Sequence, residues 1–467
     1  MAEAETQAEG RLEFRGGAAV SAVPLAAFVG VTVALVLSGA PQVEGMIAGA
    51  MFGISVGMVF ARSVNQYVES VFSLLLNRTA AVAIVCWLWA GAFSGILADS
   101  HLVEGIVWLG WKSGLTGAGF TVAVFLCASL FAVSLGTGLG TVLGFTAIMY
   151  PAGVILGANP AAVMGAIISG AAFGDNLAPV SDTTIVSATT QEADVGGVVR
   201  SRLKYVLIAA GLSAGLFLIF GGGAVSMETD EAERLLAETA DPGGLPMLIP
   251  AAVVFVVAIS GGNFLVALTA GIVCAAGLGP ALGVFSAGDL FHVTPEGGVD
   301  GSIVSGAMGL VPTAVLILLL VAAIGIMRAG GFLEAMMAWL DRTWAKTVRG
   351  AEGTVVALIS LANLCVSVNT VAIITIGPLA NTLRKRHNLH GYRVANLMDT
   401  VSCSFPYMLP HAAVVTAAAA IQRQAALRYD FVEVIPWAQE APYIFYGMTL
   451  FPIMVLAVIT GYGRKHG

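Results

Sequence analysis

Long apolar segments dominate this chain, and short polar stretches separate them. Segments such as Ala19–Ser38, Ala80–Leu97, Leu203–Phe220 and Pro442–Thr460 are each long enough to cross about 30 Å of hydrocarbon as a helix. Of the 467 residues, 58% are hydrophobic and 10% are charged, and the mean hydropathy is +0.90. A soluble domain carries about 25% charged residues. We therefore predict an all-α polytopic membrane protein, embedded in a lipid bilayer and with no nucleic-acid partner.

The order of features repeats after a shift of 231 residues, at which Pro179 falls on Pro410 and Gly95–Lys112 falls on Ile326–Thr343. Each half carries three apolar helices, an amphipathic stretch, two broken apolar segments and a closing helix. A duplicated transporter leaves such a pattern. The predicted domains are a tail over 1–18, a first transmembrane repeat over 19–224, an acidic linker over 225–245, a second repeat over 246–461 and a tail over 462–467.

Positive charge predicts the orientation. We interpret 118–157 and 352–383 as re-entrant hairpins, and 160–190 and 393–422 as broken spans. The Lys and Arg residues, Arg202 among them, then fall on one face, except for Lys112, Arg234, Arg423 and Arg428. The positive-inside rule places that face and both termini in the cytoplasm, and the acidic linker outside. Each half then has five spans, an odd number, so the second repeat is inverted. The prediction is ten spans and two hairpins.

Polar residues interrupt four of the apolar segments. Broken helices at membrane depth are tolerated only where they are buried in protein or line a cavity. We expect the four breaks to meet near the midplane and to form an oxygen-lined site. They are Ser134–Thr141, Gly174–Thr184, Ser367–Thr370 and Met398–His411.

Asp175 and Asp182 give this predicted site its charge, since a carboxylate inside a membrane indicates function by default. Burial favours the protonated form and a nearby Na⁺ favours the ionised form, so one carboxylate can hold either ion. We predict Na⁺ at these two residues, with Na⁺ and H⁺ as coupling ions and no other cofactor. The remaining candidate ligands are Asn176, Ser181, Thr183, Thr184, Ser134, Thr137, Ser367, Asn369, Thr370, Asp399, Ser402, Ser404 and His411.

Structural roles remain open for several of these residues. Asp182 can be the N-cap of the following helix, and Asp175 can lie at the membrane surface if the break is shallow. Asp399 can cap a helix or pair with Arg393 or His411. His411 can be a satisfied pore-lining residue or a proton relay.

The stretch SGAAFGDNLAPVSDTTIVSAT (Ser169–Thr189) resembles the signature of the NhaC-type Na⁺/H⁺ antiporter family, in which Gly-Asp is followed by Ser-Pro and then Ser-Asp-Thr-Thr. Ser134–Gly144 and Gly309–Glu334 are similar to further segments of that family. The resemblance implies inverted repeats, hairpins, a homodimer and a place in the cell inner membrane. It carries over Asp175, Ser181, Asp182, Thr183 and Thr184 as ion-site residues.

The chain also departs from the family pattern. Ala178 stands where the family has Ser before the proline, and Met398–His411 lacks the family's second-half motif. The Asn369–Thr370 pair at a hairpin tip suits a polar substrate as well as an ion.

The leading functional prediction is a secondary transporter, not an enzyme, that exchanges Na⁺ for H⁺ by alternating access. The alternative is Na⁺- or H⁺-coupled transport of a small organic acid or amino acid. An intramembrane protease and a passive channel fit less well, because duplicated halves with charged breaks suit alternating access. The phosphate-binding pattern GxxxxGK[ST] is absent, which excludes that route to ATP as the energy source.

Overall fold

The computed structural model describes residues 12–38, 43–75, 78–135, 138–179, 181–223, 240–259, 264–343, 345–365 and 369–466. Within these ranges the chain is mostly helical. The strands found there form one short antiparallel ribbon, in which β1 (His292–Val293) pairs with β2 (Val299–Asp300).

The first half contains helices whose ends follow local sequence signals. Asn159 caps α8, where its side-chain oxygen accepts hydrogen bonds from the main-chain amides of Ala161 and Ala162, and Pro160 occupies the first helical position. Asp194 caps α10 in the same way. The helices are α1 (Val23–Leu37), α2 (Val43–Phe60), α3 (Val64–Leu75), α4 (Arg78–Asp99), α5 (Leu102–Ser113), α6 (Gly117–Leu135), α7 (Gly138–Ile155), α8 (Pro160–Leu177), α9 (Asp182–Thr190) and α10 (Val195–Phe220).

The second half repeats this order with a longer connection before its third apolar helix. The helices are α11 (Leu248–Ile259), α12 (Phe264–Leu282), α13 (Ala287–Leu290), α14 (Ser302–Gly309), α15 (Val311–Ala329), α16 (Phe332–Thr343), α17 (Val348–Cys365), α18 (Asn369–Arg386), α19 (Gly391–Ser402), α20 (Ala413–Arg428), α21 (Trp437–Glu440) and α22 (Phe445–Thr460). The sequence did not predict α3 or the ribbon.

By length and composition, six helices in the described ranges can cross a membrane, or up to eight if each of two bent helix pairs forms one span. This agrees with a multi-pass membrane protein. The predicted total of ten spans is higher because helices such as α1 and α11 are short within the described residues. The inverted orientation of the second repeat stays a prediction.

Two helical hairpins form where the sequence predicted them. At the base of the first, the amide of Gly117 donates to the carbonyl of Leu156 over 2.8 Å, so the start of α6 meets the end of α7. At the base of the second, His387 Nε2 lies 2.9 Å from the carbonyl oxygen of Ala345. This contact joins the end of α18 to the residues just before α17. Each hairpin therefore returns to the side from which it started.

Small residues allow two helices, α4 and α14, to cross in backbone contact. A Cβ atom added to Gly91 would overlap the carbonyl oxygen of Gly306, and one added to Gly95 would overlap that of Ser302. Close approach through small residues is the usual packing mode where lipid removes the hydrophobic drive between helices.

The predicted N-terminal tail is packed against the protein from residue 12 onward. Leu12 and Phe14 are buried, and the amide of Leu12 donates to the carbonyl of Ala329 at the end of α15. This part of the predicted 1–18 tail therefore belongs to the folded body.

Candidate ion and substrate site

Asp175 lies in the last turn of α8, within the second predicted break, and only 6% of the residue is exposed. Its Oδ1 atom accepts a hydrogen bond from the Ser181 hydroxyl at 2.8 Å, and its Oδ2 atom accepts one from the Tyr407 hydroxyl at 2.6 Å. Ser181 Oγ lies 2.9 Å from Thr183 Oγ1. The alternative of a shallow, surface-exposed Asp175 is therefore wrong, because this carboxylate is enclosed by hydroxyl groups.

Asp399 lies on α19, is fully buried, and forms an ion pair. Its Oδ2 atom is 2.5 Å from Arg202 Nη1 and also accepts a hydrogen bond from the Thr184 hydroxyl at 3.0 Å. The two partners considered for Asp399, Arg393 and His411, were wrong. Removing either member of a buried pair leaves an uncompensated charge, so the two side chains depend on each other.

The predicted cytoplasmic position of Arg202 is also wrong. Helix α10 begins at Val195, ahead of the predicted start at residue 203, so Arg202 lies within the helix and its side chain is fully buried. Its Nε atom donates to Asn396 Oδ1 at 3.1 Å, and its Nη1 atom also donates to Thr184 Oγ1 at 3.1 Å and to the main-chain carbonyl of Asn176.

The alternative partners of Asp399 have other contacts. The Arg393 guanidinium pairs with Glu352, with 2.8 Å between Nε and Oε1. His411 Nε2 lies 3.1 Å from the carbonyl oxygen of Leu364. His411 is thus held by a backbone contact beside the third break.

Cys403 joins the two carboxylates. Its sulfur lies 3.8 Å from Asp175 Oδ2 and 3.6 Å from Asp399 Oδ1, within reach of weak S–H donation to either. The acidic residues of the two halves therefore belong to one buried cluster.

Described residues of the first, second and fourth breaks meet at this cluster. A Cβ atom added to Gly138, the first residue of α7, would overlap the Tyr407 hydroxyl, so the first break lies against the fourth. Tyr407 also connects the fourth break to Asp175 in the second. Asn363, just before the third break, donates to Ser402 Oγ at 2.9 Å. Three of the predicted breaks therefore meet within the described residues, and a residue just before the third contacts the fourth.

The predicted site residues have different positions. Asp175, Asn176, Ser181, Thr183, Thr184 and Asp399 lie in or directly beside the cluster, and Ser402 touches its edge through Asn363. Ser404 donates to the carbonyl of Val401, a local contact. Asn369 and Thr370 form the first turn of α18 and are half-buried. Thr137 and Ser367 lie outside the described residues, as do the side chains of Ser134 and Asp182.

Backbone geometry corrects the alternative role of Asp182. The N-cap position of α9 falls on Ser181, and Asp182 is the first helical residue. Asp182 is therefore not the N-cap.

Residues that the sequence did not single out complete the cluster: Arg202, Asn396, Asn363, Cys403 and Tyr407. Cys403 and Tyr407 stand inside the polar stretch that marks the fourth break. Asn363 is an amide in the apolar second half of α17, and Asn396 lies one helical turn before Asp399 on α19; these positions were the available signals.

The donor set is rich in oxygen. Hydroxyl and carboxylate oxygens are the ligands that hard cations prefer. Among the described residues, no group of three or more His, Cys, Asp or Glu side chains is arranged to hold a metal ion. By their chemistry, the oxygen atoms around Asp175 suit a hard cation or a proton better than a softer transition metal.

Buried carboxylates at helix breaks in a multi-pass helical protein are features that secondary transporters share. The sequence profile of the Na⁺/H⁺ antiporter family matches residues 11–222. This match confirms the predicted resemblance to the NhaC-type Na⁺/H⁺ antiporter family, over the first half of the chain.

Three curated relatives are antiporters by name. The malate-2H⁺/Na⁺-lactate antiporter of Bacillus subtilis is 30% identical over 237 residues, which are 49% of this chain and 50% of that protein. The arginine/ornithine antiporter ArcD of Halobacterium salinarum is 24% identical over 90% of this chain and 84% of its own. The Na⁺/H⁺ antiporter NhaC of Alkalihalophilus pseudofirmus is 24% identical over 36% and 34%.

The matched region thus covers about half the length of the first of these relatives. The names of all three support secondary transport as the general function. They name different cargoes: inorganic ions, organic acids and amino acids.

Proposed function

We propose that this protein is a secondary active transporter that exchanges Na⁺ for H⁺ by alternating access, with Asp175 as a carboxylate that carries the ion. The observation that supports this most is the position of Asp175. It is buried at a helix break, and hydroxyl groups of Ser181 and Tyr407 donate to its two oxygens.

Hydroxyl donors stabilise a carboxylate without neutralising it. An ionised carboxyl group away from water is costly, and binding either a proton or a cation removes that cost. The two ions therefore compete for one group. In this proposal Asp182, which follows Ser181 directly, is the second cation-binding carboxylate.

Asp399 has a different role in the proposal. Its charge is balanced inside the protein by Arg202 at 2.5 Å, so exchange of ions at Asp399 would first require this pair to open. Asp399 and Arg202 would then fix the positions of α19 and α10 against the second break, where Thr184 contacts both side chains.

The test uses purified protein in liposomes that contain a trapped pH dye. Na⁺, K⁺ or Li⁺ is added outside, and the internal pH is followed. We expect a Na⁺-dependent rise of internal pH, abolished in Asp175→Asn and Asp182→Asn. The control is Asp289→Asn, which changes an exposed carboxylate in the α12–α14 connection and should retain exchange.

Two results would contradict the proposal. Internal pH that stays flat for every cation excludes cation–proton exchange under these conditions. Exchange by Asp175→Asn at the wild-type rate would exclude Asp175 as an ion carrier.

The second candidate function is Na⁺- or H⁺-coupled transport of a small organic acid or amino acid. The buried guanidinium of Arg202 favours it, because such a group binds carboxylates, and two of the named relatives move organic solutes. Na⁺-driven uptake of labelled carboxylates and amino acids into the same liposomes tests this candidate.

The homodimer and the cytoplasmic location of both termini stay predictions from the sequence. Crosslinking in membranes and cysteine accessibility at Lys465 test them separately from transport.

A further inference from the structure

Two N–H groups beside the carboxylate cluster have no hydrogen-bond partner among the described residues. They are Nη2 of Arg202 and Nδ2 of Asn176. Both residues are fully buried. They are also in contact, since Arg202 Nη1 donates to the main-chain carbonyl of Asn176. Buried polar groups are normally paired, so two unpaired donors on touching residues indicate an acceptor that binds there.

The surrounding contacts leave one edge of the guanidinium unused. Nε is satisfied by Asn396, and Nη1 by Asp399 and Thr184. The ion pair with Asp399 therefore uses only the Nη1 group of Arg202. The Nη2 group has no acceptor among the described residues, and the ion pair does not account for its burial.

The orientation of Asn176 is set from its other side. Its Oδ1 atom accepts a hydrogen bond from the Tyr446 hydroxyl at 3.3 Å, which leaves Nδ2 as the spare donor. An acceptor that reaches both donors would meet one charged and one neutral N–H group. A guanidinium and an amide are suitable partners for the oxygens of a carboxylate.

We propose that Arg202 and Asn176 bind the carboxylate of a small organic anion that is transported together with the cation at Asp175. This inference rests on the second candidate function and assigns its substrate class and binding residues. Both side chains are enclosed here, so the anion would enter in a conformation in which α8 and α10 are further apart at this level.

Charge links the two ligands. Asp175, Asp399 and Arg202 together carry one net negative charge when both carboxylates are ionised. An added carboxylate would raise it to two, whereas a cation or proton at Asp175 offsets the increase. We therefore expect Na⁺ to tighten carboxylate binding by about 5-fold or more, a common size for coupling between two sites.

The experiment measures binding to the full-length purified protein in detergent by titration calorimetry. The probes are lactate and succinate, with lactamide as the uncharged counterpart of lactate, each in Na⁺ and in choline buffer. We expect at least one of the two carboxylates to bind, more tightly in Na⁺, and lactamide not to bind.

Asn176→Asp is the decisive variant. Its new carboxylate would occupy the free edge of Arg202, while the main-chain contact between the two residues remains. Carboxylate affinity should fall by about 10-fold or more, which is the scale of losing a charge-assisted hydrogen bond. Asn176→Ala, which only removes the donor, is the second variant in case the first folds poorly.

Asn159→Asp is the matched control. It makes the same substitution at the N-cap of α8, at the opposite end of this helix, where an aspartate can also cap. Both free donors remain, so affinity should stay within about 3-fold of wild type.

The outcomes separate this inference from the exchange proposal. If neither carboxylate binds while Na⁺ still drives H⁺ movement, the free donors hold only a buried water, and this inference is overturned. It is also overturned if Asn176→Asp and Asn176→Ala bind carboxylate like wild type. Carboxylate binding together with a flat pH signal would support it and contradict Na⁺/H⁺ exchange.

Discussion

Asp175 and Asp399 are buried carboxylates from the two halves, and the groups described in contact with them differ. Asp175 accepts hydrogen bonds from the neutral hydroxyls of Ser181 and Tyr407. Asp399 pairs with the cationic side chain of Arg202. Both adjoin helix breaks and both approach the sulfur of Cys403. Two buried acidic residues at helix breaks can therefore have different electrostatic roles.

The two residues differ in the source of the positive charge that balances the carboxylate. For Asp399 this source is the Arg202 guanidinium of the protein itself. At Asp175, hydroxyl groups donate to both oxygens, and in the proposal a mobile ion balances the carboxylate charge. The following changes test this contrast, beginning with the largest expected effect.

Arg202→Met should be the most damaging change. It leaves Asp399 buried without its cation, and breaking a buried pair typically costs about 3–5 kcal/mol. We expect a large fall in thermal stability in detergent, measured by intrinsic fluorescence. The double variant Arg202→Met/Asp399→Leu should recover most of the loss, because it removes both charges.

Arg200→Met is the control for that change, since Arg200 lies on the same helix but is exposed. It should change the unfolding temperature little. A single Arg202→Met variant as stable as this control would show that Asp399 does not depend on Arg202.

Gly138→Ala should weaken Na⁺ binding at Asp175. The added Cβ atom overlaps the Tyr407 hydroxyl and displaces it from Asp175. A hydrogen bond to a charged group contributes about 1.5–3 kcal/mol. Losing it disfavours the ionised carboxylate, so protons compete more strongly with Na⁺. At a fixed pH the Na⁺ concentration for half-maximal exchange should therefore rise about tenfold, and Tyr407→Phe should have the same effect.

Gly144→Ala is the matched control on the same helix, because an added Cβ atom there meets nothing within 4 Å. It should preserve exchange and slightly stabilise α7. Equal transport by both glycine variants would mean that Tyr407 does not support ion binding at Asp175.

Glu192→Gln should have the smallest effect. Glu192 forms exposed ion pairs with Arg384 at 2.9 Å and Lys385 at 2.5 Å. Hydrogen bonds from Lys385 and then Asn381 hold the pKa of Glu192 below its ordinary value of 4.5. Exposed pairs contribute little and are screened by salt, in contrast to the buried pair of Asp399.

The sign of the pH dependence follows from that lowered pKa. The contribution of Glu192 is present above pH 4.5 and is lost as the pH falls through its pKa in the folded protein. The small difference in unfolding temperature between wild type and Glu192→Gln should therefore vanish at acidic pH and in high salt. A difference that grows on acidification would contradict this assignment.

Much of the fold followed from the sequence because local signals mark the helices. The broken segment predicted over 160–190 is observed as α8 and α9, with the interruption next to Pro179. Both hairpins lie where apolar segments carry Gly, Ser, Thr or Asn at their centres. The positions of the helices depend on hydrophobic runs and on the residues that interrupt them, and a single sequence shows both.

The inward position of Arg202 was missed although a signal existed. The run Arg200–Lys204 suggested a solvated surface. Yet Arg202 shares a helical stripe with Tyr205, Val206 and Ala209, all buried. Periodicity was the better guide here than charge density.

The contact between Tyr407 and Asp175 could not be predicted in this way. The two residues are far apart in the chain, and no local rule states which side chain of one half faces which break of the other. Such pairs depend on how the two halves pack.

The glycine crossing of α4 and α14 has a consequence for movement. With Gly91 and Gly306 in backbone contact, no layer of side chains can rearrange to let these helices slide. We expect them to remain fixed to each other through a transport cycle, so that the conformational change takes place around them. A bulky residue at this crossing would force α4 and α14 apart. It would disturb the conformational change although it lies outside the carboxylate cluster.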